Sequence, residues 1–213
     1  MAENHPSPPV HGPLFRWLWL PMMKLFAGFL MFLLGSLRVR GKYRVPRKGP
    51  VLVLVNHTAD IDPVAVQLAC TRPIHFMAKS ELFSMPALGP FLKLFKAFPV
   101  KRGEPDRGAL KLAVEYLKAG EVVCVFPEGQ LSENGELQEL KPGVALIVRM
   151  SGAPVICLGV TGTRRLLPYG ATIPRPAFRA VHAEWGEPHT FAKDDSTEAI
   201  LGWIEGQLRS LTT

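Results

Sequence analysis

Val51 to Val55 is a run of five aliphatic residues that ends abruptly in the polar pair Asn56-His57. A run without alternation is the pattern of a strand buried on both faces of a sheet. Val122 to Val125 follows the same plan and stops at Phe126-Pro127-Glu128-Gly129; Val155 to Val160 is a third such run. Between these runs the period changes. Ala109 to Ala119 sets Leu110, Ala113, Val114 and Leu117 on one side, an amphipathic helix stopped by Gly120. Pro63 to Ala69, Ala87 to Phe95 and Gly143 to Met150 read as shorter helices, and Ser196 or Thr197 to about Leu211 as a closing one. Ile74 to Met77 and a segment around Phe178 to Trp185 complete the predicted strands. Strands alternating with helices predict an α/β fold, a single domain with a mostly parallel central sheet flanked by helices.

The N-terminus departs from that plan. Residues 1–13 carry Pro6, Pro8, Pro9 and Pro13 and read as a disordered tail. Residues 14–37 are strongly apolar, with Trp17, Trp19, Phe26, Phe29 and Phe32, interrupted by Arg16, Pro21 and Lys24. The uncharged run from Leu25 to Leu37 falls short of the ~20 residues of a transmembrane helix. No small-residue cleavage site follows, which argues against a signal peptide. Lys24, Gly28 and Gly35 fall near one helical face, and the aromatics and leucines on the others. The segment reads as one or two helices lying in a membrane interface, with packing on the domain's own core as the alternative. Residues 38–213 are then the globular domain.

Charge sharpens this division. The net charge is +7, and the first fifty residues hold eight Lys/Arg against the single acid Glu3, so they carry the whole excess. Arg38 to Lys48 is a basic run without an acid. Its plainer reading is a solvated edge strand and loop. Beside an apolar anchor it points instead to anionic headgroups on the cytoplasmic face of a membrane. Nucleic acid is disfavoured as a partner, because the remaining charges balance and no nucleic-acid motif occurs. Cys70, Cys124 and Cys157 match no metal pattern and no disulfide framework; they read as core residues in a reducing compartment.

The candidate chemistry lies where the buried strands end. His57 follows the first, and Asp62 comes five residues later, before Pro63. A histidine with a carboxylate one turn away fits a general base and its orienting acid. The plainer readings are a histidine bonded to a loop carbonyl and an aspartate serving as helix N-cap. If the strands ending in His57 and in Glu128-Gly129 are parallel neighbours, both turns open on one edge of the sheet, where α/β folds bind ligands. Lys101 and Arg102 precede the helix leading to the second strand. A base, a carboxylate, a glycine turn offering N–H groups and one or two cations suit acyl transfer to a hydroxyl.

These motifs, in order, resemble those of the glycerophospholipid acyltransferases typified by 1-acylglycerol-3-phosphate acyltransferase. The resemblance runs from about Arg38 to Pro188. It rests on His-x4-Asp at His57 and Asp62 after Asn56, Ala78-Lys79-Ser80-Glu81-Leu82, and Phe98-Pro99-Val100-Lys101-Arg102. Phe126-Pro127-Glu128-Gly129, Lys141-Pro142-Gly143 and Ala153-Pro154-Val155-Ile156 continue it. The resemblance implies direct transfer without an acyl-enzyme, metal or cofactor. His57 deprotonates a lysophospholipid's glycerol hydroxyl, which attacks the thioester of acyl-CoA or acyl-carrier protein, while Asp62 holds the imidazole. It implies substrate contacts from Asn56, Lys79, Lys101, Arg102, Glu128, Gly129 and Lys141, with Lys79 and Lys141 equally readable as surface charges. Glu128 is equally readable as a brace for the glycine turn. One departure concerns the acceptor. The Phe-Pro-Glu-Gly motif commonly continues Thr-Arg-Ser in that family, whereas Gln130-Leu131-Ser132 follows Phe126 to Gly129 here. 1-Acylglycerol-3-phosphate is thus the first acceptor implied, and a diester lysolipid such as acylglycerophosphoethanolamine the second. A thioester or lipid hydrolase and a non-catalytic membrane lipid-binding protein are the competing classes.

Overall fold

The computed structural model describes residues 11–86, 88–100, 106–178 and 180–213. The expected tail therefore lies mostly outside the described residues, as do Lys101 and Arg102. Among the described residues seven strands form one sheet: β1 (Leu37–Arg40), β2 (Val51–Val55), β3 (Ile74–Lys79), β4 (Phe98–Val100), β5 (Val122–Val125), β6 (Val155–Thr161) and β7 (Val181–Trp185). Their spatial order is β1-β7-β6-β2-β5-β3-β4, and only the β6–β7 pairing is antiparallel. The helices are α1 (Leu20–Leu34), α2 (Asp62–Ala69), α3 (Leu88–Leu94), α4 (Arg107–Lys118), α5 (Gly143–Ser151), α6 (Thr163–Leu166) and α7 (Thr197–Thr212).

Strand β2 is central because both its faces are apolar. Val51, Val53 and Val55 pack into a layer with Ala65, Val66 and Ala69 of α2 and Met31 of α1. Leu52 and Leu54 face the opposite layer, with Ala113 and Leu117 of α4, Ile147 of α5 and Ile204 of α7. Each fully buried aliphatic side chain contributes about 1.5–3 kcal/mol, so a continuous aliphatic run is stable only between two helical layers. Asp106 caps α4 by accepting from Ala109 N (2.9 Å), and Gly120 ends it with φ +81°. Gly159 lets α7 close on the sheet: a Cβ there would stand 2.4 Å from Leu211 O.

Three sequence expectations change. The last strand begins at Val181, not near Phe178, which is exposed. Its approach is tied elsewhere: Ala177 N and Ala180 N donate to Leu34 O and Gly35 O, at the end of α1. Within the expected tail, His11 is buried and its Nε2 lies 3.0 Å from Phe95 O. The apolar segment is one unbroken helix. A π-helical turn, Phe15–Trp19, runs straight into α1 and accommodates Pro21, giving a helix of 20 residues with mean hydropathy 1.7. By length and composition it is sufficient to cross a membrane. Arg16 and Lys24 do not interrupt it, because both turn toward the domain, Arg16 to Glu121 and Lys24 to Cys70 O.

The same helix is two-faced. Phe15, Leu20 and Met31 are buried, while Trp17, Met22, Leu25, Phe26, Phe29 and Phe32 are exposed. The basic run behind it follows the plainer reading in its backbone. Leu37 and Val39 of β1 pack inward, and Arg38 and Arg40 point out. Arg44 binds Glu187 (2.6 Å), while Arg38, Lys42, Arg47 and Lys48 remain exposed.

Candidate active site

Strands β2 and β5 are parallel neighbours, with Leu54 opposite Val125, so the turns after them open on one edge of the sheet. Asp62 does not cap α2. It is the first helical residue, the N-cap position is Ile61, and no side chain caps the helix. The Asp62 carboxylate instead turns back onto the preceding loop, fully buried. Its Oδ2 accepts from Thr58 N (2.7 Å) and Ala59 N (2.8 Å) and lies 3.1 Å from His57 Nδ1. An ionised carboxylate only accepts, so Nδ1 carries the hydrogen and Nε2 keeps its lone pair. Phe126 stacks on the imidazole, ring centroids 4.0 Å apart and planes at 20°, which sets the ring's plane.

The backbone of His57 is held as firmly as its side chain. Its N–H donates to Glu128 Oε1 (2.7 Å), and its carbonyl accepts from Ser132 N (2.8 Å). Glu128 Oε2 accepts from Gln138 N (2.8 Å), so this buried carboxylate joins the two loops. Burial pushes the Glu128 carboxyl up, against the opposing pull of the Gln138 and His57 N–H groups. Asn56 uses its amide as a strand would use its backbone: Nδ2 donates to Val160 O and Oδ1 accepts from Val160 N, both at 2.8 Å. Asn56 and Glu128, expected at the substrate, thus spend these bonds on positioning the loop.

The remaining expected residues are more dispersed. Gly129 takes φ +71°, as its turn requires, but its N–H is not free, donating to Phe126 O (3.0 Å). The chain of Lys141 packs against Gly129, and its amine end is exposed; its backbone N–H donates to Pro127 O. Lys79 lies 3.3 Å from Glu81 Oε1, and it shares with His57 the wall of a cavity. That cavity measures about 660 Å³ and its walls are mainly apolar. Helix α1 supplies one wall with Met23, Ala27 and Leu30, and α2 another with Val64 and Leu68. The imidazole therefore stands where an apolar chamber meets the polar edge of the sheet.

Sequence reasoning missed the roles of Thr58, Phe126, Gln138 and Ser132. Phe126 was visible inside its motif, though only the fold puts its ring under His57. The other three act through backbone N–H groups, which leave no mark in composition. Thr163 of α6 was missed as well; its Oγ1 lies 3.3 Å from Thr58 Oγ1.

Comparison with known proteins accords with this arrangement. The Acyltransferase family model matches residues 36–161. A 1-acyl-sn-glycerol-3-phosphate acyltransferase of Bacillus subtilis is 33% identical over 128 residues, covering 60% of this chain and 63% of its own length. A chloroplastic 1-acyl-sn-glycerol-3-phosphate acyltransferase of Arabidopsis thaliana is 26% identical over 174 residues, covering 80% of this chain and 49% of its own. The chain thus spans about half to somewhat under two thirds of the length of these curated relatives. The solved structure of the 1-acyl-sn-glycerophosphate acyltransferase PlsC of Thermotoga maritima matches with a TM-score of 0.78, over 92% of this chain and 79% of that one. At 24% identity that likeness is one of fold.

Proposed function

This chain belongs to the Acyltransferase family, and on that premise we propose that it transfers an acyl group from an acyl thioester to the free glycerol hydroxyl of a lysophospholipid, 1-acyl-sn-glycerol-3-phosphate first. The observation that carries the reading is the buried His57–Asp62 pair, 3.1 Å apart, at the wall of the apolar cavity. Relatives named for this activity support the choice of acceptor.

The reaction needs one proton moved twice. His57 Nε2 takes the proton of the glycerol hydroxyl as its oxygen attacks the thioester carbonyl. The tetrahedral intermediate collapses, the C–S bond breaks, and the imidazolium returns the proton to the departing thiolate. Asp62 stabilises the imidazolium and holds the Nδ1–H tautomer. The cavity receives the acyl chain, with Met23, Ala27 and Leu30 replacing the water around its methylenes; each buried CH₂ contributes about 0.8 kcal/mol. Lys79, Arg102 and Lys141 are assigned to phosphate contacts of acceptor or donor. The donor is acyl-CoA or acyl-carrier protein, which present the same thioester. The work is done at a membrane surface, with the exposed aromatic face of the N-terminal helix and the neighbouring basic residues as the two attachments.

A second reading, an acceptor with a diester headgroup, is favoured by one feature. Leu131 stands where relatives commonly place an arginine, and a charge-assisted contact of that kind contributes on the order of 1.5–3 kcal/mol. Besides Lys141, a cation near this loop is Arg164 of α6, which donates to Glu133 O.

The test is incubation of the purified protein with labelled acyl-CoA or acyl-carrier protein and a panel of lysolipids. Acylation of lysophosphatidate, lost in His57→Ala, is expected. Comparable kcat/KM for a diester lysolipid, with Leu131→Arg shifting preference toward the monoester, selects the second reading. Release of free acid at a rate indifferent to lysolipid would mean a hydrolase.

A further inference from the structure

Three buried polar side chains meet at the opposite edge of the sheet from His57. His75 is the second residue of β3, Glu121 immediately precedes β5, and His11 precedes the N-terminal helix. Their exposures are 0%, 5% and 3%. His11 Nδ1, His75 Nε2 and Glu121 Oε2 have no hydrogen-bond partner among the described residues, and all three lie within 4.8 Å of one another.

The outer atoms of the same side chains explain which way each faces. His11 Nε2 lies 3.0 Å from Phe95 O, and His75 Nδ1 lies 3.0 Å from Lys96 O. A carbonyl oxygen only accepts, so each of these outer nitrogens bears the hydrogen, and the inner nitrogen of each neutral ring is a lone pair. Arg16 donates to Glu121 Oε1, which leaves Oε2 turned inward. Stacking fixes both rings, His11 on Phe15 (centroids 4.3 Å apart) and His75 on Tyr116 (4.0 Å).

Three inward acceptors in a dry site repel one another unless something positive lies between them. A proton on His75 would pair it with Glu121 and meet only part of the need. His75 Nε2 and Glu121 Oε2 are 3.6 Å apart, too far for a hydrogen bond, and His11 Nδ1 would remain unsatisfied. We propose that His11 Nδ1, His75 Nε2 and Glu121 Oε2 bind a divalent transition-metal ion of the zinc type. Two imidazoles and one carboxylate are a zinc donor set, and imidazole ligands whose second nitrogen donates to a carbonyl are the usual outer support. Ligand atoms about 2.1 Å from a tetrahedral ion stand about 3.4 Å apart. The His75–Glu121 pair, at 3.6 Å, is close to that already, and His11 can close on it from the terminal segment. The Arg16 charge weakens the ion's hold while fixing the carboxylate's orientation. The ion would tie the start of the membrane-facing helix to the base of the sheet, away from the acyl-transfer site.

The experiment uses the full-length protein in detergent micelles, stripped by a chelator and titrated with Co²⁺ and then Zn²⁺. One equivalent of tightly bound metal is expected, together with cobalt absorption of a nitrogen-and-oxygen site and a rise in Tm with added zinc. His11→Ala and Glu121→Gln should each weaken binding at least ~10–100-fold, the cost already seen for loss of outer support alone, and should abolish the zinc-dependent rise. His11 lies at the chain's edge, so His11→Ala is the variant expected to keep the fold, checked by circular dichroism. His57→Ala should bind metal as the native protein does. Failure to bind an equivalent at micromolar zinc overturns the proposal. So does binding unchanged in His11→Ala, or binding lost in His57→Ala.

Discussion

Asp62 carries more bonds than a helix cap would. Three donors converge on Oδ2, and Oδ1 is buried without a partner among the described residues. Asp62→Asn keeps one acceptor for these donors, but it puts an amide NH₂ in place of Oδ1 and removes the charge opposite the imidazole. We expect a folded protein less stable by about 1–3 kcal/mol, the range for a buried polar group left unsatisfied. Turnover should fall by ~10²–10⁴, the usual general-base contribution, which chemical denaturation and kcat measured on one preparation will separate. Glu128 offers a parallel test. Glu128→Gln sets an NH₂ group against either His57 N or Gln138 N, a donor facing a donor. The variant should lose both stability and activity, and KM for a short acyl thioester should change less than kcat, because the carboxylate positions His57 rather than holding the chain. A change confined to KM for the acceptor would instead identify Glu128 as a substrate contact.

The N-terminal helix combines two roles that separate by face. Its inner face is a wall of the cavity, and its outer face presents Trp17, Leu25, Phe29 and Phe32. Removing residues 1–37 would therefore strip the cavity as well as the proposed membrane contact. The cleaner variant replaces Leu25, Phe29 and Phe32 with glutamine. It should lose co-sedimentation with anionic vesicles while retaining its Tm and its activity on soluble short-chain substrates. Undiminished vesicle binding would assign attachment to the basic loop alone. On the inner face, Ala27→Phe projects a ring into the chamber. It should depress kcat/KM for long acyl chains and spare short ones, read from a series of acyl thioesters; uniform loss across the series would mean that the chain lies elsewhere.

At the scale of the whole molecule, the sheet separates two edges. The proposed acyl-transfer groups stand beyond the carboxyl ends of β2 and β5, and the His11–His75–Glu121 cluster stands at the amino ends of β3 and β5. The N-terminal helix contributes at both edges, through residues flanking it at one end and cavity walls along its length. Zinc loading should therefore raise stability more than it changes turnover at saturating substrate. This is checked by Tm and kcat on chelated and loaded protein, and equal proportional effects on both would contradict the separation.

What the chain's order alone determined is local. Val51 to Val55, Val122 to Val125 and Val155 to Val160 are strands because an unbroken apolar run is stable only when covered on both faces. His57 and Asp62 were legible because their separation is short and set by one turn. β1 was legible only as an edge strand within the basic run from Arg38, and β4 escaped notice, since Phe98 to Val100 is a short run centred on Pro99. The tertiary structure decided everything that depends on long separations. Asn56 meets Val160, Glu128 joins His57 to Gln138, and Arg16 meets Glu121 across a separation of 105 residues. Such contacts arise from strand order and layer packing, and the spacing of residues along the chain holds no trace of them. The same reason hid His11, His75 and Glu121, whose donor atoms converge only because three separate segments end at one corner of the sheet.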